Sequence, residues 1–446
     1  MKITVVGCGR LGAPYAVALA EVGHDVTVVE IDPGLLAVLR AGRCPFDEPG
    51  MDAGIRRNAD AGRLRFTGSF DEAVSDAELV FLAVPTPQAP NSATMDLTAV
   101  EDSVRQVVRR LARDTVLIGK STVPVGASQR MAALAADAAP AGIRVRVGWS
   151  PDFLREALSL ETALHPARIV LGCAPGDGEV VQAVARRAWA PFLDGGAELL
   201  VTDFASADLA KSAANAFLAA KISFANLVDD VCRAVGADAD TVCRSVGLDS
   251  RIGEFGLTPG LGWGGSCLGK DLRAFADRAG QAGVWPTVHF LRLVDEVNSA
   301  RRTLAVEHAG GVLGSVDGAT VAVWGASFKP GVGDISDSPA LDVAVRLQRA
   351  GARVRIYDPS VNALVRRAHP ALTVAGTARD AVEGARLLMV LTDWPEFAGL
   401  DPATLPDFPE PRTVVDARRC LDAQRWRSAG WHHEVLGYAD ARGDSR

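Results

Sequence analysis

The sequence predicts an α/β protein built from two doubly wound domains joined by a long central helical connector. Short strand-like runs alternate with helical segments over the first part of the chain, a pattern typical of a parallel sheet covered by helices. Long alanine-rich helical stretches then replace the alternation, and it restarts further on. We therefore predict three parts, comprising residues 1–200, 201–312 and 313–446.

The first part opens with a complete strand–helix–strand unit. An apolar β-rich run at residues 2–6 leads into Gly7-Cys8-Gly9-Arg10-Leu11-Gly12, an alanine-rich helical stretch and a second strand at residues 26–30. Further strand-like runs lie at residues 79–84, 116–118, 145–147 and 169–171. Helical segments separate these runs, so the pattern predicts a Rossmann-like domain.

The second and third parts differ in the period of their apolar residues. Residues 206–235 and 287–312 read as long helices, which predicts a central helical connector. The elements that follow are a strand at residues 320–324, a helix at 338–349 and a strand at 354–357. Asp358-Pro359 ends the last strand, as Asp32-Pro33 follows the second strand of the first domain. The glycine motif is reduced to Gly325, so we expect a second Rossmann-like domain with a different ligand or none.

Composition excludes several functional classes. The chain is 48% hydrophobic and 23% charged, which indicates a folded globular protein. Apolar runs of about 20 residues, as a membrane span needs, are absent from the sequence. The first residues enter a strand without the regions of a signal peptide. A formal charge of −7 disfavours nucleic acid as a ligand. We expect a cytoplasmic protein with neither a nucleic-acid nor a membrane partner.

The cysteines and lysines carry more specific information. Seven cysteines without a Cys-x-x-Cys pair or nearby histidines fit neither a disulfide framework nor zinc, so we expect reduced thiols and no metal. Lysines make up six of the 47 basic residues. A lysine ammonium can lose its proton when buried and an arginine effectively cannot, so each lysine marks a position of interest.

The glycine motif predicts a dinucleotide site. Gly-x-Gly-x-x-Gly alone is a weak signal, but here a strand precedes it, a helix follows, and Glu30 ends the next strand. The glycines let backbone N–H groups approach a pyrophosphate at the helix N-terminus. A carboxylate at Glu30 would accept hydrogen bonds from ribose hydroxyls and repel a 2′-phosphate. NAD is therefore favoured over NADP; the alternative is a bare turn without a ligand.

Residues 260–271 read Gly-Leu-Gly-Trp-Gly-Gly-Ser-Cys-Leu-Gly-Lys-Asp and deliver Cys267 to the expected start of a helix. The helix N-terminus and Lys270 would both stabilise a thiolate. Asp271 follows four residues later, on the same helical face, where it could hold a water as a base. The alternative is an inert buried thiol.

A second polar cluster lies on the first long helix. Lys211 and Asn215 are one helical turn apart and share a stripe with Leu218 and Ile222. A buried ammonium and amide need partners, and a developing oxyanion would be one. The alternative is an ordinary capped or salt-bridged lysine.

In these motifs and over nearly its whole length, the chain resembles the UDP-glucose/GDP-mannose dehydrogenase family. The matching segments are residues 7–12, 120–126, 150–156, 211–221, 262–271 and 327–330. The resemblance implies two Rossmann-type domains joined by a long helix, with NAD in the first and the nucleotide sugar between them. It further implies NAD-dependent oxidation of a C6 primary alcohol to a carboxylate, yielding two NADH, with UDP-glucose as the leading substrate.

The resemblance also implies a role for each matching residue. Cys267 would attack the C6 aldehyde, Lys211 and Asn215 would stabilise the oxyanion, and Asp271 and Thr122 would position water or assist proton transfer. Cofactor binding would involve Gly7, Gly9, Arg10, Leu11, Gly12, Glu30, Thr86, Thr122, Glu156 and Lys270. Substrate binding would involve Phe153, Leu154, Arg155, Lys211, Asn215, Arg251, Gly264, Phe328, Lys329 and Arg418. Arg251 matches an arginine that reaches the neighbouring subunit's substrate, which implies a homodimer or larger homo-oligomer.

Three positions depart from the family pattern. Asp152 replaces a glutamate associated with hydrolysis of the acyl-enzyme, Gly269 replaces a proline, and Ser336 replaces an arginine near the cofactor. TDP-glucose, GDP-mannose and UDP-N-acetylhexosamines stay open as substrates. Two other functions also stay open: a single-step dehydrogenase of a small hydroxy acid, and a protein that binds NAD or a nucleotide sugar with weak or no turnover.

Overall fold

The computed structural model describes residues 1–89, 94–406 and 408–437. Contacts between residues divide the chain into two units. The N-terminal unit comprises residues 1–214 with 277–283, and the C-terminal unit comprises residues 215–276 with those from Val284 onward. Each unit contains one sheet, and a long helix carries the chain from one unit into the other. The predicted α/β class with two Rossmann-like sheets and a long connecting helix is confirmed.

The N-terminal sheet has the strand order of a dinucleotide-binding fold. Its strands are β1 (Lys2–Val6), β2 (Asp25–Val29), β3 (Leu64–Thr67), β4 (Leu79–Leu82), β5 (Thr115–Gly119), β6 (Val145–Trp149), β7 (Arg168–Cys173) and β8 (Glu198–Thr202). They lie in the order β3-β2-β1-β4-β5-β6-β7-β8. The chain adds β2 and β3 on one side of β1 and then the remaining strands, from β4 onward, on the other side. Folds of this kind bind their ligands at the boundary between β1 and β4. One pair, β6 with β7, is antiparallel, because the segment between them forms a loop and a six-residue helix rather than a covering crossover.

Helices cover both faces of this sheet. They are α1 (Gly12–Glu21), α2 (Pro33–Arg40), α3 (Met51–Asp60), α4 (Phe70–Val74), α5 (Thr98–Val108), α6 (Ala127–Ala138), α7 (Ser159–Leu164) and α8 (Gly178–Asp194). Alternate residues of β1 belong to different cores: Ile3 and Val5 pack on one face and Val6 on the other. This follows from the period of two in a strand and explains why a central strand such as β4 (LVFL) is apolar and buried along its whole length.

Four helices form the middle of the chain: α9 (Phe204–Val235), α10 (Ala239–Gly247), α11 (Leu268–Gln281) and α12 (Trp285–Leu313). The two long ones extend the predicted helices by one or two residues at their ends. A glycine-rich loop connects α10 to α11. None of the helices that the structure describes is both long and apolar enough to cross a membrane.

The C-terminal sheet repeats the same topology with six parallel strands. Its elements are β9 (Thr320–Trp324), α13 (Pro339–Arg349), β10 (Arg353–Tyr357), α14 (Asn362–Ala368), β11 (Thr373–Val374), α15 (Ala378–Val382), β12 (Leu387–Val390), α16 (Pro395–Gly399), β13 (Thr413–Asp416), α17 (Ala423–Ser428) and β14 (His432–Val435). The strand order is β11-β10-β9-β12-β13-β14. Side chains again alternate between two cores, with Val323 on one face and Trp324 on the other.

The turn after β9 is closed by a carboxylate. Gly325 has a φ of +106°, as the first glycine of a dinucleotide motif would. The buried Asp358 accepts hydrogen bonds from the backbone N–H groups of Ala326 and Ser327 at 2.8 and 2.9 Å. The carboxylate therefore holds the backbone of this turn in place.

Candidate active site

The glycine motif forms the turn between β1 and α1. A Cβ on Gly12 would overlap the carbonyl oxygen of Gly7, so the helix can start this close to the strand only without a side chain. A Cβ on Gly9 would meet no atom within 4 Å. The space in front of the Gly9 backbone is therefore open, and the residues present fit a pyrophosphate at the N-terminus of α1. Leu11 packs its side chain against the adjacent core.

Glu30 lies directly after β2 and is buried. Its Oε2 accepts a hydrogen bond from the backbone N–H of Cys8 at 3.1 Å, and its Oε1 accepts one from that of Asp32 at 2.9 Å. These contacts fix the carboxylate beside the glycine turn, and each oxygen has a lone pair left for a ribose hydroxyl. The geometry therefore fits the expected choice of NAD.

Four further candidate cofactor residues lie in pairs. Arg10 Nη1 lies 3.9 Å from a carboxylate oxygen of Glu156, and its guanidinium lies over the ring of Phe46 at 5.4 Å. The hydroxyl of Thr86 donates to the backbone carbonyl of Thr122 at 2.8 Å and joins the loops after β4 and β5. The structure thus brings residues from distant parts of the sequence to the same end of the sheet.

Asp152 and Lys211 form an ion pair in the N-terminal unit. Lys211 Nζ lies 3.8 Å from Asp152 Oδ1 and 5.6 Å from the ring centroid of Phe153. The same carboxylate oxygen accepts a hydrogen bond from the backbone N–H of Leu154 at 2.9 Å. Lys211 is buried, and a buried ammonium needs a partner. The Asp152 carboxylate is that partner. Arg155, next in the chain, is exposed.

Cys267 lies at the N-terminus of α11, as predicted. Its backbone carbonyl accepts the hydrogen bond from Asp271 N–H at 2.9 Å that opens the helix. The side chain is exposed, whereas four of the remaining six thiols are buried and two are half-buried. Ser266 Oγ lies 3.6 Å from Cys267 Sγ. An exposed thiol at a helix N-terminus is placed to react as a thiolate.

Asn215 and Asp271 contact each other in the C-terminal unit. Asn215 Nδ2 donates to Asp271 Oδ2 at 2.6 Å, and Lys270 Nζ lies 3.7 Å from Asp271 Oδ1. Asp271 is 1% exposed. The Asn215 amide, expected beside Lys211, is therefore oriented by Asp271 on the helix of the cysteine. Lys211 and Asn215 stay one turn apart on α9, one on each side of the boundary between the units.

Buried polar side chains hold the loop that precedes the cysteine, and the sequence interpretation missed them. Asn298 accepts from Trp263 N–H at 2.8 Å and donates to Trp263 C=O at 2.9 Å. Asn226 accepts from Gly260 N–H at 2.8 Å, and Arg301 donates to Gly260 C=O at 3.0 Å. The detectable signal was a polar residue on the apolar stripe of a helix, as at Asn298 and Arg301 on α12.

Candidate substrate residues of the last domain pack against this same loop. Arg418 is half-buried and donates to the carbonyls of Gly262 and Leu391, both at 2.8 Å. Desolvation of its guanidinium lowers the pKa of this group. A Cβ on Gly265 would lie 2.8 Å from the ring of Phe328, so the ring lies flat on the loop. Lys329 Nζ lies 5.7 Å from that ring.

Gly264 in the loop and Gly269 at the start of α11 both lie close to other atoms. A Cβ on Gly264 would overlap the carbonyl oxygen of Asp337. One on Gly269 would approach the guanidinium of Arg273 and the ring of Trp263 at 3.1–3.3 Å. Arg273 therefore fills the space in front of Gly269, the position where the family pattern has proline.

Arg251 is a surface residue of the C-terminal unit. It lies in the loop after α10, its side chain is 87% exposed, and it pairs with Asp249 two residues before it.

Three family models match consecutive parts of the chain. They are the NAD binding domain of the UDP-glucose/GDP-mannose dehydrogenase family at residues 1–192, its central domain at residues 205–300 and its UDP binding domain at residues 322–423. The N-terminal unit described above thus contains the family's NAD-binding domain.

Curated relatives and solved structures match over nearly the full length. The chain is 35% identical to the UDP-glucose 6-dehydrogenase YwqF of Bacillus subtilis, covering 98% of each chain. It is 36% identical to the UDP-glucose 6-dehydrogenase of Pseudomonas aeruginosa, covering 98% of this chain and 97% of the relative. The structure of a UDP-glucose dehydrogenase from Pyrobaculum islandicum superposes with a TM-score of 0.89 at 33% identity, covering 98% of each chain.

Proposed function

Because the chain belongs to the UDP-glucose/GDP-mannose dehydrogenase family, we propose that it oxidises the C6 primary alcohol of UDP-glucose to the carboxylate of UDP-glucuronate, with two NAD consumed per sugar. The observation that carries this proposal is the exposed Cys267 at the N-terminus of α11, one turn before the buried Asp271 that holds Asn215. The names of the relatives supply the substrate. The parts 1–200, 201–312 and 313–446 would serve as cofactor-binding, central dimerisation and nucleotide-sugar-binding domains.

The proposed reaction has three steps on the sugar. The alcohol first loses a hydride and a proton to give an aldehyde. Cys267 Sγ bonds to the aldehyde carbon, and the thiohemiacetal loses a second hydride and a proton to give a thioester. Water then hydrolyses the thioester. NAD, when bound, accepts one hydride in each oxidation. A covalent bond keeps the aldehyde in the site and supplies the tetrahedral species from which a second hydride can leave.

Lys211 and Asn215 would hold the sugar oxygen as its charge develops. A cation and an amide directed at the same oxygen stabilise that charge without reorganisation. Asp271 fixes the amide through a 2.6 Å hydrogen bond and would accept the proton released in the oxidation steps. Thr122 would assist proton transfer, and Asp152, ion-paired to Lys211, would activate the hydrolytic water.

The remaining candidate residues would bind the ligands. The NAD site would comprise Gly7, Gly9, Arg10, Leu11, Gly12, Glu30, Thr86, Thr122, Glu156 and Lys270. The nucleotide-sugar site would comprise Phe153, Leu154, Arg155, Lys211, Asn215, Arg251, Gly264, Phe328, Lys329 and Arg418. A nucleophile that must stay a free thiol, together with NAD and a nucleotide sugar as substrates, fits a cytoplasmic location.

A homodimer or larger homo-oligomer would complete the site through Arg251. The supporting observation is an apolar stripe on α9, where Phe217, Phe224 and Val231 recur every seven residues and are 71%, 53% and 62% exposed. Heptad spacing suits a helix-to-helix contact. Phe224→Glu should shift the protein to a smaller species in analytical ultracentrifugation; an unchanged mass would place the interface elsewhere.

The test of the reaction is NADH formation at 340 nm with UDP-glucose, and with TDP-glucose, GDP-mannose and a UDP-N-acetylhexosamine for comparison. We expect two NADH per molecule of UDP-glucose. One NADH per molecule would favour a single-step dehydrogenase, and binding without NADH would favour a protein with lost turnover. Cys267→Ser should stop at the aldehyde; acid production by that variant would contradict the role of the thiol.

A further inference from the structure

Lys120 is a buried cation without a role in the steps above. It follows β5, and its side chain is only 6% exposed. Its Nζ lies 3.3 Å from Ser150 Oγ and 4.8 Å from the ring centroid of Tyr15. Burial lowers the pKa of Lys120 to about 8; the Asp152 carboxylate opposes this shift and the Lys211 ammonium adds to it. Asp152 in turn lies 3.8 Å from Lys211 Nζ.

A cavity of about 310 Å³ in the N-terminal unit has both Lys120 and Asp152 in its wall. The buried Trp189 also lines it, whereas Ala167, another lining residue, is exposed. The cavity therefore extends from the interior of the unit to its surface. A water molecule needs roughly 10–15 Å³ of such space and two to four polar partners, so a group of waters fits beside the lysine and the carboxylate.

The proposed reaction needs water in one step and not in the others. Both oxidations proceed best when bulk water is excluded, yet the thioester must then meet one water molecule. In that step a C–O bond forms, the C–S bond breaks, the sulfur leaves as a thiolate, and Asp152 takes a proton from the water. No electrons are transferred. Water held in the cavity on the Asp152 side would serve the hydrolysis.

We propose that Lys120 is a positioning residue for hydrolysis: from the wall of the cavity that it shares with Asp152, it holds the water that attacks the thioester. The proposal rests on the proposed function of Cys267 and Asp152. It assigns Lys120 to the last step alone, so loss of this lysine should leave both oxidations intact. A lysine that only supports the fold would affect all three steps.

The test is Lys120→Met in the full chain, mixed rapidly with NAD and UDP-glucose and followed at 340 nm. We expect a first burst of two NADH per site at nearly the wild-type rate. The steady-state kcat should then fall by between about tenfold and a hundredfold, less than the ~10²–10⁴-fold that a complete general base contributes. Mass spectrometry of quenched protein should detect the thioester on Cys267. Hydroxylamine, which cleaves thioesters without help from Asp152, should restore turnover.

Two controls accompany this variant. Lys2→Met removes an exposed lysine of the same unit and should leave the burst and the kcat unchanged. Ala167→Trp narrows the outer end of the cavity and should lower the kcat with the burst retained, while Ala136→Trp, on the exposed side of α6, should change neither. The Ala167 variant keeps the proposal testable if Lys120→Met does not fold.

The outcomes separate this proposal from the one on which it rests. A slower burst, no accumulated thioester or no rescue by hydroxylamine in Lys120→Met would overturn the positioning role while wild-type turnover stands. The same holds if Ala167→Trp behaves as wild type. Wild-type protein that forms no NADH with any nucleotide sugar would instead overturn the proposed function itself.

Discussion

Asn298→Ala should loosen the loop that presents the catalytic cysteine. The Asn298 side chain is 1% exposed and makes two hydrogen bonds to the backbone of Trp263, at 2.8 and 2.9 Å. Its truncation leaves a buried N–H and a buried C=O without partners, and each such group costs about 1–3 kcal/mol. The free energy of unfolding should therefore fall by about 2–6 kcal/mol, the sum for the two groups.

The loss should be measurable in both stability and catalysis. For a unit of roughly two hundred residues, ~1 kcal/mol shifts the Tm by ~2–4 °C, so calorimetry should show a decrease of about 4–24 °C. Trp263 lies four residues before Cys267, and a displacement of ~1 Å at a reacting group costs up to ~10²-fold in rate. We expect kcat/KM with UDP-glucose to fall by about tenfold to a hundredfold.

Matched variants make this prediction specific. Asn298→Asp keeps the acceptor for Trp263 N–H but places a buried carboxylate oxygen against Trp263 C=O, so its Tm should fall at least as far as that of Asn298→Ala. Ser299→Ala changes the exposed neighbour on α12 and should have no effect. An Asn298→Ala protein with wild-type Tm and kcat/KM would refute the view that this side chain holds the loop.

Three further predictions concern buried carboxylates. Burial raises the pKa of Asp208, which accepts from Gly126 N–H and Ser128 Oγ, from 3.8 to about 7. The folded state therefore binds this proton more tightly than the unfolded state does. The free energy of unfolding should decrease as the pH rises from 4 to 7. In Asp208→Asn, urea titrations at different pH values should show a weaker dependence of this free energy on pH. Glu30→Ser should raise the KM for NAD by about tenfold, ~1.4 kcal/mol. It should also lower the ratio of kcat/KM with NAD to kcat/KM with NADP. If that ratio is unchanged, Glu30 is not the acceptor for the ribose hydroxyls. Asp358→Ala should lower the Tm by several degrees, because Ala326 and Ser327 lose their acceptor; equal Tm values would show that the turn after β9 needs no carboxylate.

Element type and order were predictable because they depend on local periodicity. The strand at Thr320–Trp324 and the helix capped by Ser338 have the residues expected from the apolar pattern and the capping side chain. The reversed direction of β7 was not predictable, because its apolar residues read the same in a parallel and in an antiparallel pair. Strand direction depends on the path of the connection, which periodicity does not encode.

Individual motifs were legible where a short segment carries its own chemistry. The start of α11 at the cysteine followed from the glycine-rich run and the residues after it. The ion pair between Lys211 and Asp152 joins positions 59 residues apart, and the contact between Asn215 and Asp271 joins positions 56 apart. Both pairings therefore required the folded chain, even though each residue type was noted beforehand.

By itself, the sequence determined the two doubly wound sheets, the long helix between them, the glycine turn for a dinucleotide and the cysteine at a helix N-terminus, since each depends on neighbours a few residues away. Tertiary structure alone decided which polar groups hold that cysteine loop, how Asp358 closes the second glycine turn, and that Lys120 shares a cavity with Asp152. The physical reason is that a buried polar group must find a partner wherever the fold provides one, and that partner is usually distant in sequence.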